Sequence, residues 1–430
     1  MLIIDLRFIT MLLFFAASSH SFLSAASTDC GRESFNFGGN LRFRFEELEN
    51  YRIKGYGGGS HDGFLLWRLR LNFDYRFQDG GRVHLQLQDN RYNGSELSVE
   101  DFPRSCPYEN QLSMRQLYHE GSFDNDLGFR LGRQAISFGD NRIFGPGNWG
   151  NTGRYTWDAL KFGKKLGAYE LSFFAAKRVE YDPKSRDNSH FPYWVYALYA
   201  SKKEKARRRD YFYIQKLDDS GDILGESGPG NLRRHTLGFQ WSETRGPWCF
   251  AATGALQFGE EGADRVSANA FHVAASRALD RASRFRLGLD YARASGDGDP
   301  NDGKAETFDG VFGAVDKYYG RMNLVSWMNL SDLQLSIKHR ASKVLRVGLA
   351  FHWLHLEDPH DAWYFCTGKV VSLDRSGNSG DYIGREVDLI FDYSLSKAVS
   401  LKAGIAHFTA GSFYDRGDAD WTFLQCSWKF

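Results

Sequence analysis

Long runs of period-2 alternation are the sequence feature that most limits the folds open to this chain. From Trp67 to Phe77 every second residue is apolar, and the residues between are Arg, Asn or Asp. After a Gln-Asp-Gly-Gly turn, the run from Val83 to Gln88 alternates in the same way. Two alternating runs joined by such a turn predict a β-hairpin with one apolar and one polar face.

The same alternation returns along the whole chain. Comparable runs lie at 41–45, 285–291, 333–337, 345–353, 387–393 and 399–405. Short polar turns such as 338–343 and 394–397 join neighbouring runs on one side. Long segments rich in Gly, Asp and Asn join them on the other side, at about 50–63, 90–111, 139–156, 181–192, 199–232, 293–320 and 355–383. Short turns that alternate with long loops are typical of outer-membrane barrels.

Strand length and composition favour a membrane barrel over a soluble β-sandwich. Sandwich strands usually have about five or six residues, whereas several runs here reach the roughly 9–11 of a tilted membrane strand. No apolar run is long enough for a spanning helix, yet 16% of the residues are aromatic. We therefore predict an all-β protein, a transmembrane antiparallel β-barrel over residues 27–430. At about 22 residues per strand and connection it would have 16–18 strands and a water-filled lumen.

Both ends of the chain fit export to the bacterial outer membrane. Arg7 precedes an apolar run at 8–17, and Ser24, Ala25 and Ala26 follow, so residues 1–26 are predicted to be a signal peptide. An anchoring helix is the alternative, but the run is short of the roughly 20 residues that it needs. A lipoprotein anchored through Cys30 would need a lipobox-like stretch, which Ser27-Thr28-Asp29 is not. The last strand, 421–430, ends on an aromatic residue.

The polar face of the strands is expected to line the lumen. The basic residues on this face are Arg42, Arg44, Arg68, Arg70, Arg76, Arg286 and Arg346. The acidic residues are Glu46, Asp74, Asp290, Asp332, Glu386, Asp388 and Asp392. Two interpretations stay open: a mixed-charge wall that keeps the pore wet, or an anion track confined to the arginine-rich sector.

The segment after 128 holds a change of register. Apolar residues have odd numbers before Gly132 and even numbers after it, which predicts a bulge that turns Arg133 inward. The following stretch, 139–154, is rich in Gly and Asn and contains Arg142, Arg154 and Trp149. We interpret it as a loop folded into the pore as a constriction, with an ordinary surface loop as the alternative.

Two further segments carry dense charge. The run Lys202–Arg209 is interpreted as a solvated or lipid-binding loop, or as a capture site for a polyanion at the pore mouth. The segment 297–303 resembles a calcium loop, but its sixth and twelfth positions are Asp302 and Phe308 rather than Gly and Glu. A tight acidic turn is therefore the better interpretation.

Motifs for catalysis or cofactors do not stand out. The sequence has no nucleophile elbow, zinc motif or phosphate loop, and its five cysteines have no metal-ligand spacing. We expect no enzymatic activity, no cofactor, no metal site and no nucleic-acid partner. The pairing of the cysteines cannot be deduced.

A set of motifs is spread over nearly the whole mature chain. They are GRQ at 132–134, FGDNR at 138–142, WGNTGR at 149–154, SGDGDPNDGKAETFD at 295–309, KYYG at 317–320, HDAWY at 360–364, GREVDL at 384–389 and DADW at 418–421. Together these motifs resemble those of the alginate export family of outer-membrane porins. The resemblance implies an 18-stranded monomeric barrel with an arginine-rich constriction that passes a polyuronate outward. Arg133, Asp140, Arg142 and Arg154 match the motifs and are the constriction residues that it implies.

We therefore predict a porin that passively passes an alginate-like polyuronate or its oligosaccharides through an arginine-lined pore. Its partners would be outer-membrane lipid, the anionic saccharide and periplasmic export components. A general diffusion porin for small solutes and a surface or adhesion barrel are the alternatives.

Overall fold

The computed structural model describes residues 28–30, 33–102, 106–123, 126–182 and 190–430, so the expected signal peptide lies outside the described residues. Eighteen antiparallel strands of this part of the chain close into one barrel, which confirms the predicted fold. In chain order the strands are β1 (Glu33–Arg52), β2 (Gly55–Arg76), β3 (Arg82–Asn93), β4 (Asn110–Ser122), β5 (Gly128–Gln134), β6 (Trp157–Leu166), β7 (Tyr169–Val179), β8 (His190–Lys203), β9 (Arg207–Leu224), β10 (Pro229–Arg245), β11 (Trp248–Gly262), β12 (Asp264–Ala278), β13 (Phe285–Ala294), β14 (Leu330–Arg340), β15 (Leu345–His355), β16 (Tyr382–Ser394), β17 (Val399–Ala410) and β18 (Ala419–Lys429).

The barrel closes where the last strand meets the first. β18 pairs with β1 from Asn40 opposite Lys429 to Glu49 opposite Asp420. The side that carries both chain ends has only short turns, for example 167–168, 246–247 and 395–398. Short turns are periplasmic in barrels of this type, so the opposite side, with loops 135–156, 295–329 and 356–381, is extracellular.

Burial is inverted relative to a water-soluble protein. Apolar residues on the outer face are exposed, with Leu131 at 57% and Leu256 at 59%. Polar residues on the inner face are buried, with Arg44 at 1% and Glu386 at 0%. The outward apolar side chains have no other part of the chain packed over them. Such a face is suited to lipid, because contact with hydrocarbon tails is favourable for apolar side chains and contact with water is not.

Two predicted long loops are wrong. Segment 50–63 is mostly strand, because β1 and β2 extend until they meet at residues 53–54. Segment 199–232 is also mostly strand, since β8, β9 and β10 run through it with turns at 204–206 and 225–228. The basic run Lys202–Arg209 therefore lies at a tight periplasmic turn. Lys202 pairs with Glu204 of the run at 2.9 Å, and Arg207 and Arg208 pair with Glu243 and Asp210 outside it.

Smaller elements complete the described fold. Thr28–Cys30 pairs with the start of β1, Lys304–Ala305 pairs parallel to Arg265 and Val266 in β12, and Trp363–Tyr364 forms a ladder with Val370–Ser372. No helix among the described residues is long and apolar enough to cross a membrane. The segment 297–303 is a tight turn, as preferred from the sequence, in which the N–H of Asp302 donates to the carbonyl of Asp299.

Candidate functional site in the barrel lumen

Loop 135–156 folds into the barrel and bonds to inward-facing side chains of the wall. Asn151 is fully buried and anchors it, because its Nδ2 donates to the carbonyls of Trp67, Arg91 and Tyr108 at 2.9–3.0 Å. On the same stretch, the carbonyl of Thr152 accepts a hydrogen bond from Gln88 at 3.0 Å. The segment predicted as a constriction therefore occupies the lumen rather than the outer surface.

Arginines of β1 and β2 hold this loop through its carbonyl oxygens. Arg42 donates to the carbonyl of Asn148 at 3.1 Å and to Oδ1 of Asn151 at 3.0 Å. Arg44 donates to the carbonyl of Trp149 at 2.6 Å, and its guanidinium lies 4.0 Å from the centre of that indole ring. Arg68 and Arg70 reach Asn148 at 3.5 Å. The structure thus brings these four predicted residues together on one sector.

A fifth arginine belongs to this sector and was missed from the sequence. Arg115 in β4 is 2% exposed and donates to the carbonyl of Thr152 at 2.9 Å. The pairing of β4 with β3 skips it, since Gln86 lies opposite Gln116 and Leu87 opposite Met114. This bulge turns Arg115 inward together with Gln116. By strict alternation Arg115 would face lipid beside Leu117, so only the tertiary register reveals it.

We call Arg42, Arg44, Arg68, Arg70 and Arg115 the basic wall. Carbonyl and amide oxygens accept hydrogen bonds from each of these guanidiniums, and such neutral partners do not cancel their charge. Among the described residues only Arg44 has a carboxylate within 4 Å, that of Glu46 at 2.7 Å. Four guanidiniums without an ion pair in the described part of the chain are thus gathered on one sector of the lumen.

The first turn of the loop docks on another part of the wall. Asp140 accepts from the side chain of Gln240 at 2.8 Å and from the N–H of Arg142 at 2.8 Å. Gly139 precedes it with φ +60°, and a Cβ at this position would collide with the Gln240 side chain. A glycine is needed here because the backbone must approach the wall closely.

Arg142 is buried at the far end of this turn. It donates to the hydroxyl of Tyr319 at 2.8 Å, lies 3.9 Å from the ring centre of Tyr318, and is 3.9 Å from Oδ2 of Asp290. Burial by itself would lower the pKa of Arg142, but Tyr319, Asp290 and Asp140 more than offset this and raise it. The guanidinium therefore stays charged and joins the two loops and the wall.

Loop 295–329 is the second segment folded into the lumen. It runs beside the first loop, since the N–H of Gly145 donates to the carbonyl of Phe312 at 3.0 Å. Its far part bonds to acids of β16: Glu386 accepts from the N–H of Met322 at 2.8 Å, and Asp388 accepts from that of Arg321 at 3.2 Å.

We call Asp290, Asp332, Glu386 and Asp388 the acidic wall. Histidines are interleaved with these acids. His352 contacts both carboxylate oxygens of Asp332 at 3.0 Å and lies 3.7 Å from Asp388. His272 is 2.8 Å from Asp290. The acids, which the sequence placed correctly on the inner face, are thus matched by possible cations and by backbone donors.

The expectation that Arg133 faces the lumen is wrong. Its neighbours in the outward phase are exposed, with Leu131 at 57% and the paired Leu117 at 40%. Arg133 forms a bidentate ion pair with Asp158 at 2.8 Å, on the outer face of the barrel. No bulge occurs at Gly132, because β5 keeps its register with β6 up to Gln134. The even-numbered apolar residues after it belong to the infolding loop, where Ile136 is 2% exposed.

The remaining predicted arginines lie apart from the loop. Arg76 ends β2 at the periplasmic rim and is exposed. Arg286 faces inward near the same rim and donates to Oγ of Ser276 at 3.2 Å. Arg346 is exposed at the start of β15. These three side chains mark the periplasmic mouth.

Arg154, at the end of the loop, sits between two cavities. The Trp149 cavity has a volume of about 440 Å³ and is lined by Trp149, Tyr108 and Arg44, among others. The Asp309 cavity has a volume of about 480 Å³ and is lined by Asp309 and Lys216, among others. Both cavities are lined by Arg154 and by Arg178 of β7, a residue that sequence reasoning did not select.

One grouping of the described residues has metal-ligand geometry. Ligand atoms of Glu47, Glu49 and His61 lie within 4.8 Å of one another. They alternate with the inward-facing Glu46 and Leu48, so they face outward at the extracellular end of β1 and β2 and are remote from the lumen. Among cysteines with described side chains, Cys106, Cys249, Cys366 and Cys426 are free.

Solved barrels have the same architecture at low sequence identity. Pseudomonas aeruginosa OpdQ matches with a TM-score of 0.62 and 12% identity over 92% of this chain and 97% of that chain. Pseudomonas aeruginosa OccK8 (OprE) matches at 0.61 and 13%, over 92% and 98%. Acinetobacter baumannii OccAB2 matches at 0.60 and 11%, also over 92% and 98%. At such identities these matches show the fold.

Sequence comparison identifies the family. No curated protein sequence matches the chain. The family profile described as "Alginate export" matches residues 33–422, which is nearly the whole barrel. The resemblance expected from the motifs is thereby confirmed, as is the expected location in the bacterial outer membrane. The chain is an outer-membrane porin that belongs to the alginate export family.

Proposed function

We propose that this porin passively passes an acidic polysaccharide of the alginate type, or its oligosaccharides, through the lumen beside the basic wall. One observation carries the proposal. Among the described residues, four of the five basic-wall guanidiniums have only neutral partners within bonding distance, so their charge is available to attract anions. A polyuronate carries one carboxylate per sugar and suits such a field.

Weak contacts suit conduction better than strong ones. A wet ion pair contributes only about 0.2–1 kcal/mol, so a carboxylate that meets a cation in the pore is not trapped there. The basic-wall guanidiniums are buried beneath the loop, for example Arg42 at 4% and Arg115 at 2% exposure. They are proposed to act at a distance, through their field, rather than as tight binding sites.

The direct test is single-channel recording in planar lipid bilayers under a salt gradient. We expect a reversal potential that reports anion selectivity, and partial block by added trigalacturonate but not by the neutral trisaccharide maltotriose. Cation selectivity without block by trigalacturonate would contradict the proposal. Absence of any conductance from folded protein would favour a surface or adhesion role.

A general porin for small solutes is the second candidate. Two infolded loops favour it, because they narrow the lumen, and the cavities beside them have volumes of only about 440 and 480 Å³. Liposome swelling with neutral and acidic saccharides matched in size, over a series of increasing lengths, separates the candidates. A small-solute porin should admit the neutral and the acidic saccharide at similar rates, whereas an acidic-saccharide porin should prefer the acidic one at each size.

A further inference from the structure

The guanidiniums of the basic wall are occupied by the loop, so a permeating carboxylate needs other partners. Arg42 and Arg44 donate to loop carbonyls, and Arg115 donates to the carbonyl of Thr152. A substrate that bonded these side chains would have to displace the loop. Direct contact therefore has to come from cations that line a cavity and are not used to hold the loop.

Arg154 and Arg178 meet this requirement. Both guanidiniums lie beside one ring, because their central carbons are 5.1 and 4.7 Å from the ring centre of Tyr155. No carboxylate of the described residues lies within 4 Å of either. Burial lowers the pKa of Arg154, but Tyr155, Cys366 and Asp316 more than offset this and raise it. Each can therefore accept a new anionic partner.

Their surroundings hold them in place. The guanidinium of Arg178 stacks 4.0 Å from the ring centre of Phe191 and donates to the hydroxyl of Tyr193 at 3.3 Å. Its Nη2 also lies 3.5 Å from the backbone carbonyl of Arg154, at the outer limit of a hydrogen bond. Stacking on rings fixes the plane of a guanidinium and leaves its edge free for a carboxylate.

The two cavities on either side differ in charge. The Asp309 cavity is lined by Glu226, Asp264 and Asp297, and its cations Lys216 and Arg234 are paired with Asp309 and Glu261. The Trp149 cavity has a largely apolar, aromatic lining, and its two acids, Glu46 and Asp316, are outnumbered by the four arginines Arg44, Arg154, Arg178 and Arg321. An anion that touches Arg154 and Arg178 is therefore favoured on the side of the Trp149 cavity.

We infer that Arg154 and Arg178 form a carboxylate subsite at the wall of the Trp149 cavity, which takes one uronate carboxylate while the sugar ring lies against the aromatic lining. This inference rests on the proposed function and names the contact that the proposal leaves open. The basic wall draws the polyanion in, and the Arg154–Arg178 pair engages its carboxylates one at a time. Each guanidinium can offer a carboxylate the bidentate contact that it prefers.

The experiment compares block by trigalacturonate in three proteins: the wild type, the double variant Arg154→Gln with Arg178→Gln, and Arg233→Gln. Arg233 is a matched control, because it is about half exposed and faces outward, where it pairs with Asp219. In the double variant we expect the half-blocking concentration to rise at least about fivefold, as for loss of partly wet ion pairs. Arg233→Gln should stay within twofold of the wild type.

The readouts separate the two hypotheses. Anion selectivity of the double variant should persist, since the basic wall is intact. A half-blocking concentration unchanged in the double variant, with wild-type block present, would overturn the subsite and leave the proposed function standing. If the wild type itself shows neither block nor anion selectivity, both fail. Rescue of block in the double variant Arg154→Lys with Arg178→Lys would indicate charge alone, and its absence would support bidentate geometry.

Discussion

The basic and acidic walls of the lumen do the same structural task with opposite chemistry. Each holds one infolded loop: guanidiniums of the basic wall donate to carbonyls of loop 135–156, and carboxylates of the acidic wall accept from N–H groups of loop 295–329. The difference lies in what else each wall contacts. His352 and His272 lie among the acids, whereas most basic-wall arginines have only neutral partners among the described residues.

The comparison shows that satisfied hydrogen bonds and cancelled charge are separate properties. A carbonyl fulfils an arginine's donors and leaves its charge in place, while a histidine beside a carboxylate can carry the opposite charge. A lumen with both kinds of wall, in a chain of net charge +1, can therefore have a positive sector whose field is not cancelled locally. The selectivity of such a pore depends on pairing rather than on counts of residues.

The largest effect is expected where the first loop meets the acidic wall, at Arg142. The variant Arg142→Ala loses the contacts to Tyr319 and Asp290, and the Asp290 carboxylate then has one partner fewer. We expect the free energy of unfolding to fall by about 3 kcal/mol, as it does when a buried charged pair is broken. Hydrogen exchange of residues 138–146 in detergent should accelerate strongly. Arg133→Ala is the control: its ion pair is on the outer face and partly exposed, so about 1 kcal/mol or less is expected. Equal acceleration in both variants would contradict the different placement of the two arginines.

An intermediate effect is expected from removing charge while keeping donors. The test is the double variant Arg42→Gln with Arg68→Gln. A guanidinium and a permeating anion ~8 Å apart in water attract each other by about 0.5 kcal/mol, so each lost charge should lower the anion-to-cation permeability ratio about twofold. The measurement is the reversal potential in a salt gradient. The double variant Asp332→Asn with Asp388→Asn should shift it less, because His352 lies between those acids. If the two double variants shifted the reversal potential by equal amounts in opposite directions, the acidic wall would carry as much free charge as the basic wall, which would contradict the difference inferred between the two walls.

The smallest effect is expected from a cluster of acids at the extracellular turns, around Glu226. Burial, then Asp297, Asp264 and Asp302, raises the pKa of Glu226 from 4.5 to about 7. Since this folded-state pKa is above the unfolded one, the stability that Glu226 contributes is fully present below about pH 4.5 and is lost as the pH rises through about 7. Its side chain is exposed, so solvent reduces the effect.

Hydrogen exchange of residues 225–228, corrected for the intrinsic rate, should therefore be slightly faster at pH 8 than at pH 5. Glu226→Gln should remove this difference. A pH dependence that survives in this variant would assign the titration to another acid of the cluster.

Alternation predicted the barrel and most of its inner face. Arg42, Arg44, Arg68 and Arg70 face inward as expected, and so do Glu386 and Asp388, because a barrel strand has no freedom to change which side its alternate residues face. The errors occur where alternation stops being the rule. Arg115 lies in a bulge, and Arg133 lies just before a loop. Neither the bulge nor the end of the strand is marked by a clear local sequence pattern.

Loop positions were harder to predict than strands. Polar composition suggested a long loop over 199–232, yet this segment contains the end of β8, all of β9 and the start of β10. Composition did indicate that 139–154 is unusual, but the partners that hold it inside come from β1 to β4 and β10, up to about 100 residues away.

The sequence by itself determined the class of fold, the membrane that receives it and the phase of most strands, since these depend on periodicity that repeats along the chain. Tertiary structure alone decided which arginines are held by neutral carbonyls and which remain available to a ligand. It did so because hydrogen-bond partners in a closed barrel come from distant strands and infolded loops. Arg154 and Arg178, joined by one tyrosine ring between two cavities, are the clearest case.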